Sequence, residues 1–99
     1  MITLFGIPAS ASTAPRICLE EAGAEYEFVA ITRAPVGPPA FVAASPHGKV
    51  PAMVDGALRL SESAAITMHL SDRFPQARLA PAPSDPLRAD WYRWLILLT

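Results

Sequence analysis

The sequence predicts a small α/β domain, and three observations carry that prediction. Short apolar segments at Ile2–Phe5 and Glu25–Ile31 flank a stretch that has both a helix-start and a helix-stop signal. A turn dipeptide, Asp55-Gly56, lies between two brief apolar runs behind Pro51. Ile66, Leu70 and Phe74 recur along one helix face after a serine-bearing start. The order is strand, helix, strand, short helix, two strands, helix.

Ile2-Thr3-Leu4-Phe5 reads as the first strand, ending at Gly6. Ser12 or Thr13 caps the helix that follows; Pro15 falls in its first turn, where a missing N–H is harmless, and Gly23 supplies the left-handed stop. The second strand, Glu25 to Ile31, carries Tyr26, Phe28 and Ala30 in alternation. Strand, helix and strand at this spacing imply a right-handed parallel crossover. A proline-rich loop over Thr32 to Pro39 leads to a short helix at Ala40 to Ala44 and a turn at Ser45-Pro46-His47-Gly48. Ala52 to Val54 and Ala57 to Leu60 then pair as antiparallel strands around a two-residue type I′ turn at Asp55-Gly56. The next helix stops near Phe74, because Pro75 disfavours helical geometry before it.

Residues 76–84, with Pro81 and Pro83 and little apolar periodicity, read as a linker between a domain at 1–75 and a helix over 85–99. That helix starts with Asp85 as N-cap and Pro86 at its first position; Leu87, Trp91, Trp94 or Leu95, and Leu98 recur at helical spacing. Aromatic residues in such a stripe are usually core, so Trp91 and Trp94 are read as core. Trp94 to Leu98 is apolar on every face, as expected of a helix buried among others.

Composition removes several functions. A net charge of −1 without a lysine or arginine cluster argues against a nucleic-acid surface or a polybasic membrane patch. The longest apolar run, Trp94 to Leu98, is far below the roughly 20 residues that cross a bilayer. One cysteine makes no internal disulfide, and no signal-peptide pattern precedes the first strand, so the expected address is the cytoplasm. Without a Cys-x-x-Cys there is no dithiol exchange. His47 and His69 have no carboxylate or cysteine at ligand spacing, and no metal is expected.

The chemistry concentrates in Lys49 to Ile66. Proline cannot donate to a sheet and pushes the residue before it to extended geometry, which leaves the Val50 N–H and C=O available to a peptide-like ligand; a cis Val50-Pro51 bond suits this. The hydroxyls of Ser61 and Ser63 can cap a helix whose free N–H groups bind a carboxylate, while Glu62 accepts from an ammonium. By residue chemistry alone, one surface here binds a zwitterionic amino-acid head and an adjoining extended peptide.

These residues, with the serine-bearing loop after the first strand and Leu19-Glu20-Glu21-Ala22-Gly23, resemble the N-terminal half of a glutathione transferase of the bacterial, serine-bearing type. The resemblance implies a thioredoxin-like βαβαββα fold, a four-stranded mixed sheet with helices on both faces, plus one trailing helix. That last helix corresponds to the opening of an all-helical second domain, so the sequence reads as a fragment, a truncated product or a chain completed by a partner, and one of low activity by itself. The resemblance further implies glutathione as co-substrate, held by Lys49, Val50, Pro51, Glu62 and Ser63, an electrophilic second substrate, a homodimer in the full-length protein, and a place in detoxification.

Ser10 is the implied activating hydroxyl. A thiol of pKa about 8.5 is only a few per cent ionised at pH 7, and a hydrogen bond from a hydroxyl favours the thiolate. By residue type Ser10 and Ser12 also serve simply as turn and cap residues, and Ser12 stands as the reserve candidate. Cys18, beside Ile17 and Leu19 within the first helix, reads as structural. Lys49 reads equally as a ligand to the glycine carboxylate of glutathione and as a solvated turn lysine. Beside the transferase stand two alternatives on the same fold: a non-catalytic glutathione-binding or scaffold protein, and a glutathione-dependent isomerase or peroxidase.

Overall fold

A computed structural model describes residues 1–32 and 36–98. Its strands are β1 (Ile2–Gly6), β2 (Tyr26–Ala30), β3 (Ala52–Asp55) and β4 (Leu58–Ser61); its helices are α1 (Thr13–Glu21), α2 (Pro39–Ala44), α3 (Ser63–Arg73) and α4 (Arg88–Leu98). The sheet runs in the order β2-β1-β3-β4, with β1 parallel to β2 and antiparallel to β3, and β3 antiparallel to β4. This is the mixed four-stranded, thioredoxin-like arrangement read from the sequence. Part of the proline-rich loop, 33–35, and Thr99 at the end of the 85–99 segment lie outside the described residues.

The sheet's alternation divides the core in two. Ile2, Leu4 and Met53 pack with Leu19 of α1 and Ile66 and Leu70 of α3 on one face. On the other, Phe5 and Ala52 pack with Ile31 and with Phe41 and Ala44 of α2; the Phe5 and Phe41 ring centroids are 5.8 Å apart. Period-2 exposure in the strands and period-3.6 in the helices thus meet in a layered structure with helices on both faces. Of the inner strands, β1 ends and β3 begins beside the loops that form the site.

Several local readings shift. The hairpin pairs Asp55 with Leu58, so the two-residue loop is Gly56-Ala57 and Asp55 closes β3. Gly56 takes φ +61 and Ala57 is not among the positive-φ residues, so the glycine leads the turn as in type II′; type I′ needs two positive φ values. The capping expectations fail as well. Ser12 is the N-cap of α1, yet its φ of −74 is helical and its side chain makes no cap bond, because it is used by Ile7. Glu62, not a serine, is the N-cap of α3: Ser61 ends β4, and the Ser63 hydroxyl donates to Ala11 C=O instead. Gly23 follows α1 at φ +63, the left-handed stop expected of it.

After α3 comes one 3₁₀ turn, Pro75–Ala77, closed by Arg78 at φ +52. Asp85 does not start α4 directly: its carboxylate accepts from Leu87 N–H at 2.8 Å, an Asx turn that delays the helix to Arg88. The core reading of Trp91 and Trp94 is corrected too. No residue of α4 is buried, Trp91 is half-buried, and Trp94 is 55% exposed. The helix is anchored chiefly by Arg88, which donates to Pro81 C=O, approaches Asp72 at 3.8 Å and stacks on Trp91 at 4.5 Å.

Candidate functional site

Four segments converge on one open cleft of about 450 Å³. The loop after β1 and the start of α1 contribute Ser10, Ala11, Thr13, Ala14 and Ile17; the loop before β3 contributes Ser45, His47, Lys49, Val50 and Pro51. Ser61, Glu62 and Ser63 come from the β4–α3 junction, and Leu98 from α4. The sequence-predicted residues Ser10, Lys49, Val50, Pro51, Glu62 and Ser63 therefore share one cavity. Ser12 does not line it and is 1% exposed.

The loop after β1 is held by a compact serine network. Ser12 Oγ accepts Ile7 N–H at 3.1 Å and donates to Ile7 C=O at 2.8 Å. Ser10 Oγ also donates to Ile7 C=O, lies 2.8 Å from Ser12 Oγ and accepts Ser12 N–H at 3.2 Å. Gly6 makes this possible, since a Cβ there would lie 2.5 Å from both Ser12 Cβ and Ser12 Oγ. The loop also carries Ala9 at φ +59, a left-handed conformation unusual for a residue with a side chain.

The opposite wall is shaped by a residue that sequence reasoning treated only as part of a turn. Ser45 Oγ donates to Lys49 C=O at 2.7 Å and accepts Lys49 N–H at 3.0 Å, clasping 45–49 into a tight loop with Gly48 at φ +69. Its only sequence signal was a serine opening a proline- and glycine-bearing turn. Lys49 is exposed at the rim and Val50 half-buried before a cis peptide to Pro51. Among the described residues, no turn, loop or side-chain hydrogen bond engages the Val50 backbone.

At the third wall Glu62 stands exposed at φ +75, ψ +121, outside the regions that non-glycine residues ordinarily occupy. Its carbonyl accepts Ile66 N–H at 2.9 Å and opens α3, so the amides of residues 63–65 have no earlier turn of the helix to bond to. The positive end of the helix dipole thus lies in the cleft beside a carboxylate. Ser63 ties this junction to the loop after β1 through Ala11 C=O at 3.1 Å.

One further side chain acts beyond the turn its sequence position suggests: Asp55 accepts from His69 Nε2 at 3.0 Å and pairs with Arg73 Nε at 3.4 Å, bracing the hairpin against α3 away from the cleft. Cys18 packs against the α1–α3 core; burial pushes its thiol up from its ordinary value, more than the neighbouring Thr67 hydroxyl pulls it down. Among the described residues, no group of three His, Cys, Asp or Glu could hold a metal, and no helix is long and apolar enough to cross a membrane.

The thioredoxin-like sheet brings a proline-led hairpin and an acidic helix start to the same cleft as a serine loop, and comparison specifies the family. Residues 1–72 match the family described as Glutathione S-transferase, N-terminal domain. The chain belongs to that family. It is 38% identical over 73 residues to a glutathione S-transferase of Triticum aestivum, covering 74% of this chain and 33% of that protein. It is 37% identical over 76 residues to a zeta-class glutathione S-transferase of Euphorbia esula, covering 75% and 34%. Among solved structures, a glutathione transferase of Methylococcus capsulatus superposes with a TM-score of 0.86 at 29% identity, covering 99% of this chain and 50% of the other. A sphingomonad glutathione S-transferase complexed with glutathione gives 0.84 at 35% identity, covering 97% and 50%. The chain spans about a third of the length of the curated relatives it matches.

Proposed function

We propose that this chain binds glutathione in the cleft and presents its thiolate, steadied by Ser10, to an electrophile, as a glutathione transferase. The observation that carries the reading is the convergence of an unengaged Val50 backbone, a free helix start with Glu62 beside it, and the Ser10 hydroxyl on one cavity. The γ-glutamyl carboxylate meets the α3 amides at Ser63, and its ammonium meets Glu62. The cysteinyl backbone pairs with Val50, presented by Pro51, as an added strand would. Lys49 at the rim takes the glycine carboxylate. Ser10 donates to the sulfur and so favours thiolate over thiol, an interaction worth more as negative charge develops. The glutathione-bound sphingomonad relative supports the choice of ligand.

Within this reading, 1–75 is the glutathione-binding unit, 76–84 a connector and 85–99 the start of a helical part that meets the electrophile. Pairing as a homodimer, a cytoplasmic location and a role in detoxification are part of the same proposal for the whole protein. Calorimetric titration of the chain with glutathione tests it. Binding that weakens by about 1.5–3 kcal/mol in Glu62→Ala is expected for loss of a hydrogen bond to a charged group. Equal affinities leave Glu62 a helix-start residue only. Binding without any thiolate absorption in the ultraviolet favours the non-catalytic alternative.

A further inference from the structure

The serine network around Ile7 has more acceptors than protons. Ile7 C=O receives both the Ser10 and the Ser12 hydroxyl, and among the described residues no other donor reaches it. Each hydroxyl has one proton, and the 2.8 Å contact between the two oxygens needs one as well. When a thiolate stands before Ser10, its single proton has to leave Ile7. The carbonyl, partly buried, is then satisfied only if Ser12 keeps donating to it. Ser12 is well placed for this: it is 1% exposed, is fixed by Ile7 N–H and is packed against Gly6, and it sends its own N–H to Ser10 Oγ.

We propose that Ser12 is a positioning residue for Ser10: by holding the Ile7 carbonyl it frees the Ser10 proton for the sulfur. The inference rests on the assignment of Ser10 as the thiol-activating hydroxyl. Without the Ser12 hydroxyl, Ile7 competes with the thiolate for one proton, and the thiolate loses ground. Ser12 touches no ligand in this account, so affinity for the protonated thiol is spared.

The test is a pH titration of bound glutathione, following thiolate absorption, in wild type, Ser12→Ala, Ser10→Ala and the double variant. Ser12→Ala should raise the apparent pKa of the bound thiol by about one unit, a tenfold loss of thiolate at fixed pH. Affinity at mildly acidic pH should stay within about twofold, and the double variant should shift no further than Ser10→Ala. Ser12→Cys still fills the space beside Gly6, with a somewhat larger atom, but offers only a weak donor, so it should shift in the same direction by less. A shift in Ser10→Ala with none in Ser12→Ala overturns the inference and leaves Ser10 standing. A further shift from Ser12→Ala on the Ser10→Ala background overturns it as well, because the effect then does not pass through Ser10. No shift in Ser10→Ala, or no glutathione binding by the wild type, removes the Ser10 assignment and this inference together. Should Ser12→Ala fail to fold, Ser12→Cys decides, and an unshifted pKa in that variant overturns the proposal.

Discussion

Gly6→Ala is the substitution whose cost the structure defines best. The added methyl would lie 2.5 Å from Ser12 Cβ and Oγ and 2.9 Å from Phe28 Cε1, distances that real contacts do not tolerate. Ser12 has nowhere to retreat, being fully buried, and Phe28 is pinned under Arg16, whose guanidinium lies 4.1 Å from the ring centroid. Overpacking of this kind costs about 1–3 kcal/mol. Displacing Ser12 also breaks its two bonds to Ile7, each worth about 1 kcal/mol net. Together these give roughly 3–5 kcal/mol, much of the ~5–15 kcal/mol available to a domain. Gly23→Ala is the control: unlike Gly6, Gly23 has a positive φ, +63, and no atom lies within 4 Å of its added Cβ, so only the left-handed backbone is penalised, by about 1–2 kcal/mol. Urea unfolding followed by far-ultraviolet circular dichroism measures both. If Gly6→Ala proves no more destabilising than Gly23→Ala, the packing account of the β1 loop is wrong.

Glu62→Gly should separate stability from binding, raising stability by about 1 kcal/mol as the strain at φ +75 is relieved while weakening glutathione; a less stable variant would mean the conformation carries little strain. Asp55→Ala should lower stability by about 1–2 kcal/mol through loss of the His69 and Arg73 contacts without changing glutathione affinity, and chemical denaturation with calorimetry reads both. Cys18 should be alkylated more slowly than free glutathione at mildly alkaline pH, since burial raises its pKa; that burial stabilises the folded chain below the unfolded thiol's pKa and fades as pH rises through the folded one, so urea should abolish the difference in rate. The chain should self-associate in light scattering, because Trp94, Ile96, Leu97 and Leu98 are each more than half exposed, and Trp94→Glu with Leu97→Glu should shift it toward monomer; a monodisperse wild-type monomer would refute this.

Fold and site were legible to different depths. The βαβ unit, the hairpin and α3 are written in apolar periodicity and in proline and glycine positions, which act locally and survive any tertiary context. The hairpin turn slipped by one residue because Asp-Gly and Gly-Ala both supply the left-handed residue a tight turn needs, and the choice was settled by Asp55, whose carboxylate is used by His69 and Arg73 across the fold. Competing partners also displace the serine caps, locally at Ser12 and across the fold at Ser63. Ser12 and Ser63 have the right chemistry at helix starts, but Ile7 and Ala11 take their hydroxyls. The exposure of Trp94 was illegible for another reason: periodicity identifies an apolar helix, not what covers it.

Ser10 and Ser12 show where such reading ends and geometry begins. Two serines two residues apart are equivalent by type, and each has one proton to give. The backbone separates them: after β1 the chain turns through Ala9 at φ +59, leaving Ser10 at the cleft and Ser12 beneath it against Gly6. A hydroxyl at the wall of the cavity can reach a sulfur, whereas one sealed below it can act only on its neighbours. The roles proposed for the pair thus rest on burial and on the count of protons against acceptors around a single carbonyl. A glycine at position 6 is what permits the close approach that seals Ser12 in place, which is why one methyl group there should disturb stability and thiol ionisation together.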